Sequence, residues 1–148
     1  MIISFLALSA LTVLSACTPK ENTRNNTDMT KGSFEYEKQV LLNMIDALSR
    51  YRAGIMKAEG PDDVAKANYE LAERLDTLNP QIVEITGKHP DWNENPPPEV
   101  KKIVEEYKRW HQEYEMASII AEGYIDEYPD HEGLKDSWAS LTHVLDRD

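Results

Sequence analysis

Four histidines, one cysteine and 27 acidic residues are the groups that could do chemistry in this chain. A metal or a hydrolytic centre needs several of them to converge from fixed spacings. The Glu-x-x-His pairs of di-iron bundles, the His-Glu-x-x-His of zinc hydrolases and the Cys-x-x-Cys-His of c-type haem do not occur. His111 and Glu115 form the one His–carboxylate pair at helical i,i+4 spacing, and a half-buried, hydrogen-bonded histidine is the plain expectation there. A b-type haem would use buried His or Met ligands. Met44 and Met56 sit on an apolar stripe, where Met ordinarily fills gaps. Asp126-Glu127-Tyr128-Pro129-Asp130-His131-Glu132 gathers carboxylates without the turn glycine and ligand spacing of a calcium loop. Glu105, Glu106, Glu113 and Glu122 read as solvated helix faces beside Lys101, Lys102, Lys108 and Arg109. With no Gly-rich phosphate loop and no serine-nucleophile signature, the residues assign no catalytic set, no metal-ligand set and no cofactor. The expectation is a protein that is not an enzyme.

Four helical stretches must position whatever works. Ser33 can cap a helix over about 34–58, with Phe34, Leu41, Met44, Ile45, Leu48, Ile55 and Met56 on one stripe, ended by Gly60-Pro61. A second, over 61–86, starts with Asp62 and Asp63 in its first turn and carries Val64, Ala67, Leu71, Leu75 and Leu78. Ile82 and Ile85 keep phase with Leu78, which predicts a kinked continuation through Pro80 to a stop at Gly87. The third, over 98–128, carries Val100, Val104, Tyr107, His111, Tyr114, Ala121, Ile125 and Tyr128, widened by Ile103, Trp110 and Ala117. Pro129 breaks it, and Asp130 can cap a fourth over 131–146 with Leu134, Trp138, Leu141, Val144 and Leu145. Alternating strand patterns are lacking. The expected fold is all-α, an antiparallel up-down-up-down four-helix bundle. That topology puts His89 and His131 at opposite ends and His143 on the face away from the fourth stripe, so they cannot share a metal.

Three features suit binding a partner. The connection Lys88–Pro97 is the longest irregular segment of the domain, and His89, Asp91 and Trp92 make it a candidate contact. Trp is the residue type most often anchoring interfaces; alternatively, Trp92 folds back and caps the bundle's end. Met116, Ile119, Ile120 and Gly123 form a minor stripe on the third helix, away from its main one. It is either buried by a second neighbour or a partner or self-association face. Gly123 costs about 1 kcal/mol relative to Ala inside a helix, which close approach of another backbone would help explain. Arg52 falls at the centre of the first stripe, where it snorkels outward or meets a buried carboxylate beside a ligand pocket.

The chain opens with the apolar run Ile2–Leu14, too short for a spanning helix, which closes on Leu14-Ser15-Ala16-Cys17. This resembles the lipobox of bacterial lipoproteins. No Lys or Arg precedes the run, so the Met1 amino group or residues upstream supply the usual positive charge. The resemblance implies cleavage after residue 16 and acyl chains on Cys17, which anchor the protein in a membrane. Cys17 is the only cysteine, so no internal disulfide can form. Thr18 rather than Asp after it resembles lipoproteins sent to the outer membrane in enteric-type bacteria. Thr18–Gly32 carries one apolar side chain, Met29, and reads as a linker reaching roughly 50 Å when extended.

Residues 1–16 have no ionisable side chain, so the whole formal charge of -11 belongs to residues 17–148. That argues against nucleic acid and anionic headgroups, which want Lys and Arg clusters. The expected function is a lipid-anchored envelope protein binding another envelope protein without catalysis, in an accessory, chaperone or immunity-like role. A homo-oligomer fits the same features. The alternative is a bundle holding a small ligand, metal or haem between its helices.

Overall fold

A computed structural model describes residues 34–146. Residues 1–33, with the expected signal segment, Cys17, the expected linker and Ser33, and residues 147–148 lie outside the described residues. Four α-helices make up the domain: α1 Glu35–Lys57, α2 Pro61–Lys88, α3 Pro98–Glu127 and α4 Glu132–Leu145. No strand occurs among the described residues. The helix contacts are those of a bundle, with α1 packed on α2, α3 on α1 and α4 on α2. α2 and α3 touch only slightly, although they are neighbours in the chain.

The apolar spacing explains the core. Leu48, Tyr51 and Ile55 of α1 meet Val64, Leu71, Leu75 and Leu78 of α2, and Ala117, Ala121, Leu134 and Leu141 close the cluster from α3 and α4. A smaller cluster of Val40, Leu41, Ile85, Trp92, Val100 and Val104 fills the end where α1 begins. α1 and α2 come closest where Gly54 faces Ala67, and a Cβ on Gly54 would lie 3.1 Å from the Ala67 Cβ. Small residues at this crossing let the backbones approach. Met56, expected on the α1 stripe, is instead 56% exposed.

α2 runs unbroken through Pro80 and past Gly87 to Lys88, two residues beyond its expected end. Leu78 and Ile85 stay buried on either side, so burial outweighs the hydrogen bond that proline removes. The helix stops before Pro90, since the residue preceding a proline is pushed out of helical geometry. At its start, Gly60 is the N-cap and Pro61 fills N1. Asp63 reaches back to accept the Glu59 amide at 3.0 Å. α4 is capped by His131 rather than Asp130: its Nδ1 accepts from the Leu134 amide at 3.1 Å, and its Nε2 lies 3.1 Å from Asp62.

One polar chain crosses the core. The Tyr51 hydroxyl donates to Asn68 Oδ1 at 3.2 Å, Asn68 Nδ2 donates to Ser137 Oγ at 3.1 Å, and Ser137 Oγ donates to the Leu134 carbonyl at 2.7 Å. Asn68 and Ser137 are fully buried. The chain ties α1, α2 and α4 into one register, because a slip of either neighbour would strand a buried polar group.

Candidate partner-binding face

The second half of α3 carries a solvent face that its own domain leaves uncovered. Ala117 and Ala121 turn inward and are buried, flanked by Tyr114, Tyr124 and Ile125. The opposite side holds Met116, Ile119 and Ile120, which are 65%, 64% and 40% exposed. Gly123 continues this row, and a Cβ placed there would meet nothing within 4 Å. The stripe is therefore not covered by a second neighbour. Large apolar side chains repeated at i, i+3 and i+4 on a free helix surface are what helix-in-groove and helix-pair recognition use.

Charge frames this row on one side. By helical spacing Glu115, Glu122 and Asp126 line one flank, and Glu127 ends the row. All four are exposed. Between Trp110 and Leu134 the sequence has no Lys or Arg. Glu122, Asp126 and Glu127 make no ion pair among the described residues, and Glu115 has only His111 at 3.8 Å. The last turn of α3 holds no basic residue, whereas α1 and α2 end on Lys57 and Lys88. Carboxylates at a helix C-terminus oppose the dipole, at about 0.3–1 kcal/mol each. Arg109 marks the other end of the face, 3.8 Å from Glu106 and over the Trp110 ring at 5.0 Å.

The Lys88–Pro97 connection behaves differently. Trp92 turns inward, 7% exposed, and belongs to the smaller core cluster. Its indole stacks on His89 with ring centres 3.9 Å apart and takes the edge of Phe34 at 5.0 Å. His89 Nε2 lies 3.5 Å from Glu37. Trp92 thus caps the end of the bundle, and its indole is not open to a partner in this arrangement. Asp91 stays exposed, and its carbonyl accepts the amides of Glu94 and Asn95 to fold the loop into turns. Lys108 donates to the Asn93 carbonyl and pins the loop to α3. The six candidate contact residues are therefore not one surface: His89, Asp91 and Trp92 belong to the bundle's end, and Met116, Ile119 and Ile120 to the far half of α3.

The remaining candidates stay apart. Arg52 is part-buried, and its Nε donates to Glu113 Oε2 at 2.6 Å, joining α1 to α3 at a half-exposed rim. His111 is more exposed than expected, its side chain 52% open and 3.8 Å from Glu115, outside hydrogen-bond reach. His89 packs by Phe34, His131 pairs with Asp62 at the other end, and His143 is exposed. No group of three or more His, Cys, Asp or Glu side chains among the described residues could hold a metal. A groove of about 430 Å³ lies over the α1–α2 crossing, with Gly54 and Ala67 in its lining and both signs of charge around it, from Arg50, Lys57 and Lys66 to Asp63 and Glu70.

One buried and one half-buried phenol, Tyr51 and Tyr114, complete the electrostatics. Burial pushes Tyr51 well above the usual tyrosine range, helped by Tyr114 and opposed by the Ser118 hydroxyl. Burial likewise raises Tyr114, opposed by Ser118. Both are neutral hydroxyls of the core rather than acids poised to react. None of the described helices is long and apolar enough to cross a membrane. No family model, curated protein or solved structure matches this chain.

Proposed function

We propose that this chain is a lipid-anchored protein of a bacterial cell envelope, held by acyl chains on Cys17, that binds another envelope protein through the outer face of α3 and catalyses nothing. The observation that carries the reading is the uncovered Met116–Ile119–Ile120 row continued by Gly123. Nothing inside the domain requires a glycine there, and its helix-propensity penalty goes uncompensated without an outside contact. The outer membrane is the proposed location, from Thr18 beside the lipobox cysteine.

The proposed topology is antiparallel up-down-up-down. Support comes from cross-helix pairs: Tyr36 with Glu84, Asp46 with Arg74 and Tyr51 with Asn68 count down α2 as they count up α1. Arg52 with Glu113 and Ala58 with Tyr124 rise together on α1 and α3. Asp62 with His131, Asn68 with Ser137 and Asn79 with Val144 do the same on α2 and α4.

Two experiments test the function. Metabolic labelling with palmitate should tag the wild-type chain and not Cys17→Ser; equal labelling refutes the anchor. A photocrosslinking residue at position 119, with position 143 on exposed α4 as control, is then activated in intact cells. A discrete adduct with another envelope protein from 119 alone is expected. Adducts of the same kind from both positions, or none from 119, reject the binding face.

A further inference from the structure

We infer that the occupant of the α3 face is a cationic amphipathic segment of the partner protein, its apolar side on Met116, Ile119 and Ile120 and its Lys or Arg edge on Glu115, Glu122 and Asp126. The inference rests on the binding function proposed above and names the chemistry of the partner. Three observations carry it. The apolar row is exposed over two helical turns, enough for one amphipathic segment to lie along it. The carboxylates line one flank of that row, and no Lys or Arg stands between residues 110 and 134 to neutralise them. Asp126 and Glu127 occupy the last turn of α3, where the helix's own carbonyl ends repel them. A run of acid that opposes the local dipole is a departure from the rule α1 and α2 obey, and such departures concentrate at working surfaces.

The same charges argue against a second copy. In an antiparallel face-to-face pair, the twofold axis brings the acidic flank of one α3 against the acidic flank of the other. Two chains of net charge -11 add to that repulsion. A cation edge relieves at once the crowding among the carboxylates and their conflict with the helix end. Arg109, at the opposite end of the row and 3.8 Å from Glu106, marks where the cationic edge should stop.

The test uses the full lipidated chain in phosphatidylcholine nanodiscs with the photocrosslinker at position 119. The probe is a designed helical peptide of about 18 residues, or five turns, with leucines on one face and lysines on the other. A second peptide replaces each lysine by glutamate. The lysine peptide should be captured and the glutamate peptide not. Capture should fall about tenfold when Glu115→Gln, Glu122→Gln, Asp126→Asn and Glu127→Gln are combined, each exposed pair contributing a few tenths of a kcal/mol. The control combination Glu70→Gln, Glu73→Gln, Glu94→Gln and Glu99→Gln changes net charge equally and should leave capture intact. Equal capture of both peptides, an undiminished yield from the first combination, or a predominant adduct between two copies of the chain overturns the inference. Each of these leaves the envelope adduct at position 119 to decide the binding function separately.

Discussion

Replacing Asn68 by alanine removes two hydrogen bonds from a fully buried place. The Tyr51 hydroxyl loses its Asn68 acceptor while staying buried, with only the neighbouring Ser118 hydroxyl to turn to, and an unsatisfied buried donor costs about 1–3 kcal/mol. Ser137 loses a donor but keeps its bond to the Leu134 carbonyl, so its share is small. The vacated amide adds a small cavity, bringing the expected loss to about 2–4 kcal/mol. With a urea dependence of about 1–1.5 kcal/mol per M, the midpoint should fall by roughly 2 M with an unchanged slope. The assay is urea unfolding monitored by circular dichroism. Tyr51→Phe in the same series removes the stranded donor. The double variant should therefore lose less than the two single losses added, by about 1 kcal/mol or more. Strict additivity, or an Asn68→Ala loss below about 0.5 kcal/mol, would refute the idea that this chain of hydroxyls and amide holds α1, α2 and α4 in register.

Gly123→Ala should raise stability by about 0.5–1 kcal/mol, since nothing lies within 4 Å of the added methyl, yet weaken capture at position 119. A variant that melts higher and binds as before removes the glycine's role in close approach. Gly54→Ala should lower the melting temperature despite better helix propensity, because its methyl meets Ala67 at 3.1 Å, and Ala67→Gly added to it should restore part of the loss. A stable single variant would show that the crossing can relax. Tyr51 and Tyr114 have raised folded-state pKa values, so the stability they lend is whole below the unfolded value of about 10 and is lost as pH rises beyond it. Their tyrosinate absorbance, isolated by difference from the Tyr51→Phe/Tyr114→Phe variant, should appear only with loss of helical signal. Ionisation with helices intact would refute their burial.

Helix number and extent were legible because each stripe keeps its period over several turns. Even α2 could be traced through Pro80, where Ile82 and Ile85 stay in phase. Which helix packs on which was not legible. A stripe shows that a face is buried and not what buries it, so the pairing of α3 with α1 and α4 with α2 has no signature in any one segment. Buried Asn68 and Ser137 look like surface residues in a sequence, because their burial depends on partners 17 to 69 positions away. His131 took the capping role because its ring nitrogen reaches the Leu134 amide from the position next to the helix. Trp92 was ambiguous for a related reason. An aromatic in a long loop anchors a partner or plugs a core, and Phe34, Val40 and Val104, which decide between these, come from other segments. The α3 row could be found from spacing alone, but its exposure depends on where α4 goes.

The pairing of α3 with α1 and of α4 with α2 has a consequence for the order in which the chain can fold. α1 and α2 are joined by a three-residue connection and can zip together as soon as both exist. The packing of α3 on α1 and of α4 on α2 closes loops of some sixty residues or more, as Arg52–Glu113 and Asn68–Ser137 do. Ser137 lies 69 positions after the Asn68 it must meet. An α1–α2 hairpin alone has Asn68 without its Ser137 partner and exposes the apolar faces that α3 and α4 cover. Docking of the fourteen-residue α4 completes the buried polar chain. Loss of even its last two turns, with Leu141 and Val144, should therefore be felt across all four helices rather than as a frayed end.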